Sequence, residues 1–419
     1  MLCFSHMGLA DLYTGYVRNK AEHGENAWDS AYLGLKLFRM KSHILPDKSI
    51  SKGYSKLESM MMDHVVSAFS GAGYARSSIF APHEIFLSAG MKSLSSEAIS
   101  CMLSHGYGLE KAFIDITESE GITSTLCSYH KAFVGAAESM LPPPLISVST
   151  SLACDGNLCS FRYLSEKHEI PFHFIDVPYA CDKSSIDYLE EQLKTIAFSI
   201  PGFSLSRLKE ILDIENRTRN EMMRFYELSS MRYYPGKLMD QMYAIMATHS
   251  LLGTEGFLSW IRNVNKELER APEFTGRNIL WVHVIPFYSE PLRALFDSSP
   301  RYQVAASDML FDSFSDLDAD SPFRSLAIKM IKHAFNGGYQ RKIEHIDKIM
   351  EIHQTDGAIA FSQWGCKQAN GGLPLLKAHY MKKNLPLLIL DGDAIDKRNS
   401  QEGQIKTRVE AFLELLEQR

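Results

Sequence analysis

Two segments of the chain share one order of elements, and this repeat constrains the fold more than any other feature. Each segment has an apolar run, a cysteine, a helical stretch and a second apolar run opened by a proline; the copies span residues 145–176 and 357–391. In both copies an aspartate lies five residues after the proline. Strands that alternate with helices are typical of parallel sheets. The repeat therefore predicts two α/β units of one plan, the alternative being a chance recurrence.

The repeat also places a cysteine just past the carboxyl end of a strand in each copy, Cys154 in the first and Cys366 in the second. Ligands of open α/β sheets bind at that edge. Two such edges that face each other would form a crevice with cysteines on both walls.

The pattern along the chain divides it into four regions. Residues 1–72 are predicted to form a helical extension, and 184–275 a helical middle segment. Residues 73–183 and 276–419 are predicted to form the two α/β domains, each with a parallel sheet of the flavodoxin-like or Rossmann-like kind. The second domain is expected to open with a buried strand over 278–285.

Composition narrows the class of protein. The 419 residues are 45% apolar and 22% charged, as in ordinary globular proteins, and the net charge of −6 argues against nucleic acid as a partner. We see no signal peptide and no run of the roughly 18 apolar residues that a membrane helix needs. We therefore expect a cytoplasmic protein, in which seven cysteines do not form a disulfide framework.

Several common catalytic motifs are absent from the sequence. It has no Gly-rich dinucleotide fingerprint after a strand, no GxxxxGK[ST] phosphate loop, no HExxH zinc helix and no GxSxG elbow. The chain is therefore not expected to hydrolyse ATP through a phosphate loop or to hold a nicotinamide cofactor tightly.

The cysteines are the strongest lead to a function. Cys127, which precedes a predicted helix, can join Cys154 and Cys366, because iron clusters take soft thiolate ligands that need not be close in sequence. Three thiolates would satisfy three irons of a cubane and leave the fourth open. Cys159 is an alternative to Cys154, although a buried thiol facing the sheet is the simpler interpretation. The remaining cysteines are expected to be inert: Cys3, Cys101 and Cys181.

The chain from about residue 75 onward resembles the 2-hydroxyacyl-CoA dehydratase and benzoyl-CoA reductase family. The resemblance rests on the order and approximate spacing of several motifs, of which the Cys-Asp-Gly and the last one are the most specific. These are Ala81-Pro82-His83-Glu84-Ile85-Phe86, Cys127-Ser128-Tyr129, Cys154-Asp155-Gly156, Cys366-Lys367-Gln368, Asp391-Gly392-Asp393 and Gln404-Ile405-Lys406-Thr407-Arg408-Val409-Glu410-Ala411-Phe412.

The resemblance implies a cofactor and partners. Two α/β domains would hold a 4Fe–4S cluster through Cys127, Cys154 and Cys366. A related second subunit would complete a heterodimer, and a separate ATP-hydrolysing iron–sulfur activator would deliver one electron. One branch of the family carries a double cubane and extra cysteines; no cysteine lies between Cys181 and Cys366, which argues against that branch.

The resemblance also implies a catalytic acid. Glu97, by its distance from Pro82, matches an acidic residue proposed to act near the substrate. The alternative is a solvated carboxylate at the start of a helix. A serine expected earlier in the family falls on Ile79 here, with Ser78 one place away.

The implied reaction is the removal of water from an (R)-2-hydroxyacyl-CoA to give a 2-enoyl-CoA. The β-hydrogen of such a thioester is not acidic, so simple elimination is blocked. One electron added to the thioester carbonyl makes a ketyl radical, which expels the hydroxide and leaves a far more acidic β-hydrogen.

Three interpretations remain open at this point. The chain is the substrate-binding subunit of a dehydratase, or an electron-relay or benzoyl-CoA-reductase-like subunit, or a non-catalytic iron–sulfur protein. The helical extension and Glu97 favour the first.

Overall fold

The computed structural model describes residues 9–23, 25–70, 73–310 and 314–419. Cys3 and the expected domain boundary at residue 72 lie outside these residues. In the described part, no helix combines the length and apolar character needed to cross a membrane.

Two four-stranded parallel sheets form the centres of the two α/β units, and both have the same strand order. The first runs β2-β1-β3-β4 and the second β6-β5-β7-β8. The third strand of each unit lies between the first and the fourth, so the two units share one plan, and the α/β fold class is confirmed. The strands are β1 (Ala75–Ser77), β2 (Ser93–Ser95), β3 (Ile146–Thr150), β4 (Phe172–Ile175), β5 (Arg277–Val282), β6 (Tyr302–Ser307), β7 (Gly357–Gln363) and β8 (Leu387–Gly392).

Helices connect the strands of each sheet, as parallel pairing requires. Those of the first unit are α4 (His83–Ser88), α5 (Ser96–Tyr107), α6 (Glu110–Ser119), α7 (Ser128–Ser139) and α8 (Asp155–Lys167). Those of the second unit are α13 (Glu290–Phe296), α14 (Pro322–Ile331), α15 (Tyr339–His353), α16 (Lys367–Gly371), α17 (Leu373–Lys382) and α18 (Glu402–Glu417).

The remaining helices belong to the two predicted helical segments. The first segment holds α1 (Leu9–Glu22), α2 (Trp28–Ile44) and α3 (Lys52–Ala68), and the middle one holds α9 (Lys183–Ser199), α10 (Leu205–Met231), α11 (Leu238–Thr248) and α12 (Glu255–Leu268). Helix α3 packs against α11 and α12, and a shared apolar core runs from the N-terminal helices into both sheets. Contact between distant segments thus holds the two units in one body.

The strand expected over 278–285 is shorter than predicted. It ends at Val282, because His283 adopts a left-handed backbone conformation with φ of 76°. A non-glycine residue in that region is uncommon and turns the chain out of the sheet. The prediction for 283–285 is therefore wrong, and the early exit brings His283 to the carboxyl edge.

Candidate functional site

All three candidate cysteines stand at the N-terminal cap of a helix. Cys127 precedes α7, Cys154 precedes α8 and Cys366 precedes α16. Burial is the largest influence on each thiol and raises its pKa, while backbone amides of the following turn act in the opposite direction. Helix N-termini stabilise negative charge on sulfur. The backbone amides at the start of each helix therefore partly offset the effect of burial on the thiol.

The two cysteines of the repeat are preceded by residues with left-handed backbones. Ala153 has φ of 67° and Gly365 has φ of 73°. In both units the chain leaves the third strand, turns through this residue and enters a helix at the cysteine. Alanine is strained in that conformation, and such strain clusters at functional sites.

The cysteines of the two units lie together between the sheets. A Cβ on Gly365 would come within 2.8 Å of the backbone of Cys127, so the turn that carries Cys366 touches the start of α7. Burial raises the pKa of Cys127 well above its usual value, and the charges of Cys366 and Cys154 raise it further. Burial likewise raises the pKa of Cys154 to about 12 and that of Cys366 to about 11. The three cysteines thus lie close enough to influence one another across the contact between the two units.

Asp393 fixes this contact between the units. Its carboxylate is fully buried and accepts a hydrogen bond from the hydroxyl of Ser128, the residue after Cys127. It also accepts hydrogen bonds from side chains and amides of its own unit: Gln363 at 2.9 Å, Asn399 at 3.0 Å, and the amides of Ile395 at 2.9 Å and Asp396 at 3.0 Å. The Asp-Gly-Asp motif therefore anchors the first cysteine to the second unit.

Glu97 lies in the first turn of α5, just past the carboxyl end of β2. Ser95 donates a hydrogen bond to its Oε2 at 3.0 Å, and burial raises the pKa of the carboxyl. The negative charge of Glu97 is the second cause, after burial, of the raised pKa of Cys154. Glu97 is therefore half-buried and close enough to Cys154 for its charge to act on that thiol.

The serine position expected near Glu97 differs from the family pattern. The backbone amide of Ile79 interacts with the Glu97 carboxylate. Ser78 is buried, and its hydroxyl has no hydrogen-bond partner among the described residues. A buried, unpartnered hydroxyl thus stands one residue from the expected place.

Sequence reasoning missed a histidine beside Cys154. The Nε2 atom of His130 lies 3.0 Å from the Cys154 sulfur, and Nδ1 lies 2.8 Å from the hydroxyl of Ser160. That hydroxyl donates to the carbonyl of Gly156, so it accepts from Nδ1–H, and the thiol then donates to Nε2. The spacing of His130 from Cys127, three residues along α7, was the available signal.

A second histidine, also missed, stands beside Cys366. The Nε2 atom of His283 lies 3.7 Å from the Cys366 sulfur. Its backbone amide donates to Asp308 at 2.7 Å. Nothing in the local sequence signals this contact, because 83 residues separate the histidine from the cysteine.

The other cysteines lie outside this group. Cys159 is exposed on α8, so the expectation of a buried thiol facing the sheet is wrong. Cys101 is buried and donates weakly to the hydroxyl of Tyr129 at 4.0 Å, whereas Cys181 is exposed.

The donor set fits an iron–sulfur cluster better than a single ion. In the described ranges, no group of three or more His, Cys, Asp or Glu side chains is placed to hold one metal ion. A cubane offers a separate iron to each cysteine, so its ligands need not converge on one point. Three partly buried thiols at helix N-termini are soft donors of the required type.

Comparison with known proteins gives several relatives. The chain is 23% identical over 383 residues to the lactoyl-CoA dehydratase subunit alpha of Anaerotignum propionicum, covering 80% of this chain and 89% of the relative. It is 20% identical to one subunit of the benzoyl-CoA reductase of Thauera aromatica, covering 72% and 79%. It is also 20% identical to the (R)-2-hydroxyglutaryl-CoA dehydratase subunit alpha of Acidaminococcus fermentans, covering 63% and 60%.

A family model matches most of the chain. The model for the D-component of 2-hydroxyglutaryl-CoA dehydratase aligns with residues 78–416, a range that includes Cys127, Cys154, Cys366 and every strand of both sheets except β1. The resemblance drawn from the motifs is thereby confirmed. The chain belongs to the 2-hydroxyglutaryl-CoA dehydratase D-component family.

Proposed function

We propose that this chain is the iron–sulfur subunit of an (R)-2-hydroxyacyl-CoA dehydratase, in which Cys127, Cys154 and Cys366 hold a 4Fe–4S cluster. The observation that carries the proposal is the convergence of three capping thiols from both units beside the Glu97 carboxyl. Family membership and two relatives named as dehydratases support a hydro-lyase.

The cluster and the chain would divide the work. When bound, the cluster would supply one-electron transfer and an open iron that acts as a Lewis acid. Cys127 and Cys154 would hold it from the first unit and Cys366 from the second. His130 would orient Cys154 through its contact with the sulfur.

Glu97 is the group proposed to move protons. A carboxyl whose pKa is raised by burial keeps its proton closer to neutral pH, so it can donate to the departing hydroxyl oxygen of the substrate. Once ionised, the same carboxylate can accept the β-hydrogen. The hydrogen bond from Ser95 keeps the carboxyl pointed in one direction during both steps.

A cleft beside the cysteines offers a path for the thioester. It has a volume of about 570 Å³ and is lined by Thr125, Gly365 and the Gln404–Arg408 side of α18. Thr125 and Gly365 meet where the turn before Cys366 touches the segment before α7. The volume lies in the range of small-molecule sites. We propose that an acyl-CoA approaches the sulfurs from this cleft.

The proposal includes two protein partners. The relatives are named as subunits, which supports a related second subunit in a heterodimer. The sequence has no phosphate loop, so an ATP-hydrolysing iron–sulfur activator would have to supply the electron.

A second candidate function rests on the match to a benzoyl-CoA reductase. In that case, or in an electron-relay subunit, the cysteines would serve the same cofactor. A ring reductase adds protons as well as electrons to the ring, so Glu97 could deliver one of them, whereas in an electron-relay subunit it would have no proton to move. A non-catalytic iron–sulfur protein would bind the cluster without any turnover. A role for Glu97 in proton transfer therefore separates the two enzymes from the electron-relay and non-catalytic candidates, and the product formed separates the two enzymes from each other.

The test begins with anaerobic purification of the full chain. We expect a brown protein with about four irons per chain, a content set by the cubane. Each single serine replacement of Cys127, Cys154 or Cys366 should lower the iron content, and the matched control Cys159→Ser should keep it. Full iron in Cys154→Ser with loss in Cys159→Ser would overturn the ligand assignment.

The activity assay then uses the partner subunit, the reduced activator, ATP and a panel of 2-hydroxyacyl-CoA thioesters. Formation of a 2-enoyl-CoA supports the dehydratase. Ring reduction of benzoyl-CoA in its place would select the second candidate, and steady turnover by the single chain would refute the need for partners.

A further inference from the structure

The second unit carries an acid in the place that Glu97 occupies in the first. Asp308 follows β6, as Glu97 follows β2, and these strands hold the same position in their sheets. In both units, a backbone amide just past the central strand approaches the carboxylate: His283 donates to Asp308 at 2.7 Å, and Ile79 interacts with Glu97. The repeat thus extends from the cysteines to an acid on each side of the crevice.

The two acids differ in charge environment. Asp308 is paired with Lys342, whose Nζ lies 3.2 Å from Oδ2, and both side chains are almost completely buried, at 0% and 1% exposure. Glu97 forms no ion pair within the described part of the chain. The first unit therefore keeps an acid whose proton can move, while the second holds its acid in a fixed pair of charges.

The lysine of this pair lies close to Cys366. Its ammonium sits over the ring of Phe335 at 4.4 Å and is almost completely buried. Asp308, which pairs with this ammonium, accepts a hydrogen bond from the backbone amide of His283 at 2.7 Å, and the Nε2 atom of His283 lies 3.7 Å from the Cys366 sulfur. Asp308, His283 and Cys366 follow three adjacent strands, so the pair and the cysteine share one edge.

We propose that Lys342 is a positioning residue that sets the reduction potential of the cluster held by Cys366, an inference that rests on the proposed function. Reduction adds one electron to the cluster. A buried ammonium nearby stabilises the reduced form, since the low local dielectric weakens screening. Charge and hydrogen bonding around a cluster are among the factors that set its potential. One carboxylate oxygen of Asp308 keeps the ammonium in place, and the other accepts the hydrogen bond from the His283 amide.

The test compares cluster potentials in variants of the anaerobically purified full chain. Lys342→Met removes the positive charge and should shift the midpoint potential to a lower value. Asp308→Asn removes the negative charge, keeps an acceptor for the His283 amide and should shift the potential to a higher value. Lys342→Arg keeps the charge and is the matched control, with a potential close to that of the parent.

Opposite shifts with unchanged iron content are the expected result, because a merely structural role would lower iron or stability without moving the potential in opposite directions. Unchanged potentials at full iron, or shifts of both variants in one direction, would overturn the inference. If Lys342→Met does not fold, Lys342→Gln removes the same charge but keeps a hydrogen-bond donor for Asp308. Its potential should be lower than that of the parent, and an unchanged value would again overturn the inference. A parent chain without any cluster would refute the proposed function instead.

Discussion

Ser128 donates its hydroxyl hydrogen to the buried carboxylate of Asp393, across the contact between the two α/β units. The residue before this serine is Cys127, and the residue before this aspartate is Gly392, where β8 ends. One hydrogen bond therefore ties the first candidate ligand to the sheet that positions the third.

Replacing Ser128 by alanine should loosen that tie. The Asp393 oxygen would lose a donor in a buried place, which costs about 1–3 kcal/mol of unfolding free energy. We expect a lower thermal midpoint and faster loss of iron to a chelator in Ser128→Ala. The control is Ser119→Ala, which removes an exposed hydroxyl that bonds only within its own helix. Equal behaviour of the two variants would contradict the role of this hydrogen bond.

A second prediction concerns the turn before Cys366. In Gly365→Ala the new methyl group would lie 2.8 Å from the Cys127 backbone, in a residue whose φ is 73°. The clash and the left-handed backbone both act against the native contact, so stability and iron content should fall. The matched change in the other unit, Ala153→Gly, relieves a strained φ of 67° and should retain iron. The iron content per chain and the thermal midpoint are measured for both variants. If Gly365→Ala kept the iron content and thermal midpoint of the parent, the two units could move apart at this contact without loss of stability.

Much of the architecture could be predicted because it is local. Each copy of the repeat, from its first apolar run through the cysteine and helix to the run opened by proline, spans only about thirty residues. This pattern predicted the strands β3, β4, β7 and β8. The placement of Cys154 and Cys366 past their strands follows from the same pattern. The exact limits of the domains stay a prediction, because one apolar core runs through all regions.

The parts that could not be predicted depend on contacts between distant residues. Lys342 meets Asp308 and His283 meets Cys366 only because strands β6, β5 and β7 lie side by side. The burial of Lys342 could not be predicted from the spacing of apolar residues, because lysine is normally a surface residue. The burial of Cys159 was predicted wrongly. Thiols tend to be buried, but this tendency does not show which face of α8 is covered by other residues.

A third prediction tests the buried charges around Glu84, which belongs to the Ala81–Phe86 motif. Lys329 lies 2.8 Å from Glu84 and 2.7 Å from Glu215, and these three side chains join α14, α4 and α10 with almost no exposure. Lys329→Met would leave two carboxylates together without a cation, which should lower the free energy of unfolding by about 3–5 kcal/mol. Lys194→Met is the control, because Lys194 pairs with Glu190 and Glu191 on the surface, where solvent screens the charges, and its loss should have little effect on stability. Denaturant unfolding compares the two, and similar losses would contradict a structural role for the buried cluster.

A fourth prediction uses the raised pKa of Glu97 in the metal-free protein. In the unfolded chain a glutamate ionises near its ordinary pKa of about 4.3. Burial raises the pKa of Glu97 in the folded chain, so the unfolded state ionises first as the pH rises and this residue destabilises the fold above that range. Glu97→Gln removes this effect. The thermal midpoint of the variant should therefore match the parent near pH 4 and exceed it increasingly toward neutral pH; a constant difference would contradict the raised pKa.

The last prediction concerns turnover. Glu97→Gln keeps the shape of the side chain and an acceptor for Ser95, but its amide cannot donate and accept a proton as a carboxyl can. With the partner subunit, activator and ATP present, dehydration should fall by about 100-fold or more, the usual scale for losing a general acid or base. Iron content should not change, because Glu97 is not among the proposed cluster ligands. The control is Glu110→Gln, a carboxylate at the start of the next helix that pairs with Lys397 at 3.0 Å. If Glu97→Gln turned over as fast as that control, the carboxyl beside Cys154 would have no part in the proton transfer, and the electron-relay interpretation would gain its strongest support.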